Sequence, residues 1–378
     1  MEIRFDVPPE EKKMHWGLVH TAVIVSCPSF RRWQAQFWQI LERLVRPVFR
    51  REILVSLPTG LASVAGMNHR INRRSFLTSC GLGVAGLSLV PGLASAIEPF
   101  RRAGSPRLWT SLAAYSFRDY FRDNNHSRLT ETDPAKRIDL FQFIDYCADH
   151  GCQGAEVTSY YFPKETNAEF LLKLRRHAFL RGVALSGTAV GNTFTHPPGE
   201  KRAAEIASVK KWVDHAAVLG TSHIRVFAGA AAKGMEKAEA KKLCIAALEE
   251  CGDYAGQKGV FLGIENHGGI VAEPADLLDI IKTVKSPWVG INFDTGNFHT
   301  DDPYQDLPLI APYAVNVQWK AEIQRRDQKK EEADLPRLVK ILRDANYQGY
   351  LALEYEAEED PWQAVPRLLQ RMQKLLAG

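Results

Sequence analysis

The sequence has 378 residues, of which 45% are hydrophobic and 24% charged, the balance of a globular chain with ample material for a buried core. Its formal net charge of +4 is unevenly spread: residues 1–107 carry 15 Lys and Arg against 7 Asp and Glu, leaving 33 against 37 in residues 108–378. A mildly acidic body argues against a nucleic-acid backbone as the main partner, and six cysteines without a CxxC pair or a His/Cys cluster exclude a zinc-finger framework.

Residues 1–66 are basic, contain Trp16, Trp33 and Trp38, and show no strand–helix rhythm. Met67 then opens a different kind of segment. Arg73-Arg74, followed by Ser75, Phe76 and Leu77, resembles the twin-arginine export signal. A Gly-rich apolar run from Gly81 to Leu93 comes next, and Ala94-Ser95-Ala96 places small residues where a signal peptidase needs them. The run is shorter than the roughly 20 apolar residues of a membrane span. The expectation is a signal peptide over 67–96, handed to the twin-arginine translocase, and a periplasmic or otherwise exported product. A signal beginning at Met67 implies that translation starts there and leaves 1–66 as an uncertain extension.

Residues 97–107 read as a linker, and a regular alternation begins at 108. Strand-like runs at 108–117, 152–161, 183–190 and 222–229 lead to helical patterns at 134–150, 168–181, 201–219 and 237–257. Two further strands flank an amphipathic helix at 273–285, with Leu277, Leu278, Ile281 and Val284 on one face. Strands at 314–321 and 350–356 lead to helices at 335–345 and 362–376. This rhythm predicts a (β/α)8 TIM barrel over 108–378. A doubly wound open sheet is the alternative, weakened by the lack of a GxGxxG turn after the first strand. Cys147, Cys152, Cys244 and Cys251 read as buried thiols, with a disulfide among them left open by the export reading.

The chemistry is concentrated at strand ends. VFLGIENHGG (260–269) breaks its apolar run at Glu265, and WVGINFDTGN (288–297) breaks at Asp294. The seventh and eighth strands bring Gln318 and Glu354 to the same rim. Three crowded carboxylates repel unless a cation neutralises them. A divalent metal held by Glu265, Asp294, Gln318 and Glu354 is the expected solution, and an all-oxygen set favours Mn²⁺ or Mg²⁺ over Zn²⁺.

IENHGG, FDTGN, VQWK and LEYE together resemble the strand-end motifs of the sugar phosphate isomerase/epimerase superfamily, the xylose isomerase-like barrels, over about 108–378. The resemblance implies a metal bound by Glu, Asp, His and Glu; here Gln318 stands where that family has His. It also implies proton transfer next to a sugar carbonyl through an enediolate, with Glu265 and Glu354 as the acid/base pair. Expected substrate contacts are Glu156, His267, Lys320, Asn297 and, more weakly, Arg225, each with a structural alternative. The run 325–332 reads as a solvated loop placed to cover the site.

The expected function is therefore an exported metal-dependent isomerase or epimerase of a small carbohydrate. A lyase or dehydratase on the same site is the near alternative. An abasic-site endonuclease and a non-catalytic sugar-binding barrel are the distant ones. Homo-oligomerisation is left open.

Overall fold

A computed structural model describes residues 97–125 and 133–377. The expected extension over 1–66 and the whole of the expected signal segment over 67–96 lie outside the described residues. Strands β1 (Arg107–Ala113), β2 (Gly154–Thr158), β3 (Ala184–Ala189), β4 (His223–Val226), β5 (Phe261–Glu265), β6 (Val289–Asp294) and β7 (Ala314–Trp319) are joined by a later strand, β10 (Gln348–Leu353). These eight close into a barrel in the order β1-β10-β7-β6-β5-β4-β3-β2, every pairing parallel. The TIM barrel expected from the alternation is the observed architecture.

Local chemistry explains the helices. In α1 (Leu140–Asp149), Asp139 accepts from the Gln142 backbone N–H and the Gln142 side chain returns to the Asp139 N–H, a reciprocal cap. Leu140, Phe143, Ile144 and Cys147 then form its buried stripe. Asn167 caps α2 (Ala168–Leu180). Helices α3 (Glu200–Leu219) and α4 (Lys237–Gln257) follow β3 and β4. The α5 helix (Pro274–Thr283) starts with proline at its first position, where no amide partner is lost. In α7 (Leu335–Asp344), Asp334 caps the start and Leu335, Leu338, Val339, Ile341 and Leu342 are buried. The chain closes with α8 (Pro361–Ala377), whose Trp362 packs on Phe117 at a centroid distance of 4.6 Å.

One boundary and two elements differ from expectation. The first helix begins at Leu140, because Pro134–Lys136 form only a short 3₁₀ turn that Arg137 leaves in extended backbone. A helix not assigned from the sequence, α6 (Pro303–Ile310), follows β6; Pro308 inside it hides its periodicity. The charged run is not a plain loop: β8 (Glu322–Gln324) and β9 (Lys330–Glu332) pair as an antiparallel hairpin.

The expected linker is seated. Ile97 N donates to Val284 O, Phe100 N donates to Pro312 O, and the side chains of Asn346 and Gln348 donate to Arg102 O and Ala103 O. Phe100 meets Phe261 edge-on at 6.0 Å, near the start of β5. Cys147, Cys152, Cys244 and Cys251 are buried free thiols.

Outward-facing residues of the strands, such as Ile264, Ile291, Phe293, Val317 and Trp319, pack under the helices. Inward-facing positions are polar: Ser111, Glu156, Ser186, His223, Asn292 and Asn316 are all buried. Gly269 sits where the loop after β5 touches the loop after β4. Its φ is +57°, and a Cβ there would lie 2.4 Å from the Gly229 carbonyl oxygen. Gly259 has a similar φ of +71° with open space around it. Gly259→Ala should cost about 1 kcal/mol, the conformational term alone. Gly269→Ala should cost roughly 1–3 kcal/mol, and more than Gly259→Ala, because the backbone must also move. Urea unfolding midpoints of the two variants measure the difference; equal losses would show that the close approach is unimportant.

Candidate active site

Parallel strands carry their carboxyl ends to one mouth of the barrel. Glu265 is the last residue of β5, Asp294 the last of β6, Gln318 the penultimate residue of β7, and Glu354 follows β10 directly. All four are at most 5% exposed. The register sets their neighbours: Glu265 lies opposite Asn292, and Asp294 opposite Gln318. Asn266 locks two strand ends together. Its amide donates to Asp294 O at 2.9 Å and its oxygen accepts from Asp294 N at 2.9 Å.

At the centre of this mouth is an ammonium group. Lys320 is 7% exposed, and its Nζ lies 2.5 Å from Glu354 Oε2, 3.4 Å from Asp294 Oδ2 and against Glu356 Oε2. Burial works against its charge, but the carboxylates of Asp294, Glu354, Glu356 and Glu265 outweigh it and hold the amine protonated. Thr295 Oγ1 accepts from the Lys320 backbone N–H at 2.8 Å. Gly296 leaves room for the stem: a Cβ there would come within 2.8 Å of Lys320 Cγ.

Each remaining carboxylate has its own partners. Arg225 Nε lies 2.9 Å from Glu265 Oε2, an ion pair rather than an aligned hydrogen bond, and Asn297 Nδ2 donates to Glu265 Oε1 at 2.8 Å. The Arg225 guanidinium also rests on the Phe227 ring, 3.9 Å from its centroid. Asp294 Oδ1 accepts from Gly296 N at 2.8 Å, while Oδ2 has no hydrogen-bond donor. Burial pushes the Glu265 carboxyl up to about 7, against the pull of Arg225 and with the repulsion of Glu354. Burial likewise pushes Asp294 up to about 8, against the attraction of Lys320.

Gln318 is oriented by a closed ring of hydrogen bonds. Asn316 Nδ2 donates to Glu156 Oε2 at 2.7 Å and to Asn292 Oδ1 at 3.0 Å. Asn292 Nδ2 donates to Gln318 Oε1 at 2.7 Å, and Gln318 Nε2 returns to Glu156 Oε1 at 3.0 Å. An ionised Glu156 accepts only, and in that form it dictates the orientation of all three amides. The Gln318 oxygen therefore faces Asn292, and its NH₂ group faces Glu156 and, at 3.3 Å, Glu354.

The residues expected at the site thus separate. Glu265, Asp294, Glu354, Lys320, Asn297 and Arg225 come together. Glu156, like Glu265, Asp294 and Arg225, does not line the cavity, which Lys320, Glu354 and Asn297 do. Glu156 is fully buried in the middle of β2, which continues to Thr158, and it holds the ring from below. His267 sits to one side with its ring 4.5 Å from Phe227. Glu356 was not singled out from the sequence. Its signal was its place two residues after Glu354, matching the spacing of Lys320 after Gln318. A cavity of about 150 Å³ opens over Lys320, Glu354, Glu356 and Asn297, with Ile323 and Lys330 of the hairpin in its wall. It is small beside the roughly 300–1,000 Å³ of drug-sized pockets and suits a small polar molecule.

Residues 144–374 match the family model described as the xylose isomerase-like TIM barrel. The chain belongs to this family. Among solved structures, the xylose isomerase-like chain is similar to D-psicose 3-epimerase crystallised with D-fructose, at 17% identity and a TM-score of 0.57 over 71% of this chain and 97% of that one. The 3-keto-D-glucoside 4-epimerase of E. coli gives 17% identity and a TM-score of 0.52 over 71% and 99%. The IOLI protein with a bound zinc atom gives 16% identity and a TM-score of 0.54 over 71% and 96%. No curated protein sequence matches.

The xylose isomerase-like resemblance implies a metal, and the donor set here does not suit one. Among the described residues, no group of three or more His, Cys, Asp and Glu side chains is gathered to hold a metal ion. Gln318 presents N–H where a ligand oxygen is required, and Lys320 brings a positive charge to the acids such an ion would bridge.

Below this layer, His223 lies between Gly187 and Gly263 with neither ring nitrogen paired. Burial, with the nearby Arg225 charge, depresses its pKa to about 3. The unfolded chain takes up this proton below about pH 6.5 and the folded chain does not. The contribution of His223 to stability is therefore complete above pH 6.5 and falls as pH drops toward 3. The loss should reach about 2 kcal/mol by pH 5. Urea unfolding at pH 7.5 and pH 5 should show His223→Leu gaining about 2 kcal/mol relative to wild type as the pH falls; a difference that does not change with pH would exclude His223 as a source.

Proposed function

We propose that this barrel is a carbohydrate isomerase or epimerase that moves a proton at the carbon next to a carbonyl. The observation that carries the reading is Glu354 held on the buried Lys320 ammonium in the wall of a small cavity, with Glu265 hydrogen-bonded behind it to the cavity-lining Asn297. The family and its similarity to epimerases of D-psicose and 3-keto-D-glucoside support the same class.

In the reaction, one carboxylate takes the proton as the C–H bond breaks. The electron pair enters the adjoining C–C bond, and the carbonyl becomes an enediolate oxygen. The other carboxyl group then gives a proton back to carbon, on the opposite face for an epimerase. A carboxyl held up to about 7, as Glu265 is, exchanges protons readily near neutral pH. Asn297 and Arg225 keep it in place. The same intermediate ejects a leaving group if the substrate carries one at the next carbon, which is the lyase alternative. We further assign the protein to an exported compartment on the Arg73-Arg74 signal, a setting that favours unphosphorylated sugars.

Incubation with D-fructose, D-psicose, D-tagatose, L-ribulose and 3-keto-D-glucosides in D₂O tests the reading by NMR. Wild type should place deuterium next to the carbonyl of at least one and yield its epimer or isomer. Glu265→Gln and Glu354→Gln should each slow this exchange by about 10²–10⁴-fold. Loss of water or aglycone would move the assignment to a lyase, and a complete lack of exchange would overturn it.

A further inference from the structure

We propose that Lys320 is the resident cation of this site, so that the protein works without a divalent metal. The proposal deepens the reading above and takes from it only that the mouth of the barrel is where chemistry occurs. The oxygens a metal would need are already engaged, save one. Glu265 Oε1 accepts from Asn297 and Oε2 faces Arg225. Glu354 Oε1 accepts from Gln318 and Oε2 holds Lys320. Asp294 Oδ1 accepts from Gly296, and the Gln318 oxygen accepts from Asn292. Asp294 Oδ2 is left, and the Lys320 ammonium lies 3.4 Å from it.

The arrangement is built rather than incidental. The Lys320 stem passes over Gly296, where any side chain would collide with it, and its amide is held by Thr295. Gln318 cannot turn its oxygen inward without breaking the ring anchored on Glu156, because Asn292 and Asn316 would have to turn with it. An inward amide NH₂ repels a metal ion and welcomes a carboxylate or an anionic substrate oxygen. An ammonium with three donors supplies what the reaction requires of a cation. It donates to the carbonyl oxygen and stabilises the negative charge that develops there as the C–H bond breaks. No electron or extra reactant is called for; the proton leaves carbon for a carboxylate and returns from one.

Two measurements separate this proposal from the functional reading. The first ignores activity. Wild-type protein, purified without chelator and then dialysed against Mn²⁺, Mg²⁺ or Zn²⁺, should carry less than about a tenth of an equivalent of metal by elemental analysis. Its melting temperature should not move with EDTA or with 1 mM of any of these ions. One equivalent of metal with a raised melting temperature would overturn the proposal whether or not a substrate is known. The second uses any sugar that exchanges deuterium. Exchange should survive EDTA unchanged and fall by about 10²–10³-fold in Lys320→Met, the range for losing one donor to a developing oxyanion. Lys320→Met should also gain what wild type lacks, a melting temperature that rises with Mn²⁺, since it leaves Asp294, Glu354 and Glu356 without their cation. Loss of exchange on adding EDTA would overturn the proposal. A metal-free wild type that exchanges no sugar would sink the isomerase reading and leave Lys320 as the resident cation.

Discussion

The site depends on two buried positive charges among too many negative ones. Glu156, Glu265, Asp294, Glu354 and Glu356 are gathered near Arg225 and Lys320, five acids to two bases. Taking a carboxylate out of water costs several kcal/mol unless partners replace the solvent. The chain meets that cost in two ways. Lys320 and Arg225 each hold carboxylates at ion-pair distance, and the acids that remain in excess rise toward neutral pH: Glu156 and Glu265 to about 7, Asp294 to about 8. Carboxyl groups that change protonation near pH 7 suit proton transfer.

The polar interior of the barrel serves this layer. Where many barrels fill their centre with branched aliphatic residues, this one places a ring of Glu156, Asn316, Asn292 and Gln318 directly beneath the acids. Every member of the ring has a partner within it, which is the condition for a buried polar network to be stable and to specify one arrangement. Beneath it, Ser111 and Ser186 share a hydrogen bond of 2.8 Å. The hydrophobic core is displaced outward, between the outer face of the strands and the helices, where Ile264, Phe293, Val317 and Leu342 lie.

Much of this was readable in one dimension. Apolar runs ending in Glu265 and Asp294 marked β5 and β6, because a buried parallel strand must stay apolar until it reaches solvent or chemistry. The apolar periodicity placed the starts of α2 and α7 where Asn167 and Asp334 cap them, whereas α1 was expected from Pro134 and begins only after the Asp139 cap. The α6 helix was hidden by Pro308, and the β8–β9 hairpin by its charge, since charged residues form strands only when a partner strand supplies the hydrogen bonds. Glu156 was expected to meet substrate, but β2 runs on through Val157 and Thr158, so its carboxyl group stays inside the barrel.

The sequence by itself determined the barrel and that Glu265, Asp294 and Glu354 reach one mouth of it, since both follow from periodicity and from which residue ends each strand. It also showed that Gln318 replaces a histidine in the resembling motif. Only the tertiary structure decided which way Gln318 faces and what neutralises the acids. Those outcomes depend on Glu156, Asn292, Asn316 and Lys320 meeting across β2, β6 and β7, at separations of 24 to 162 residues along the chain. Hydrogen-bond direction is a property of a closed network in space, and the linear order of residues carries no record of it.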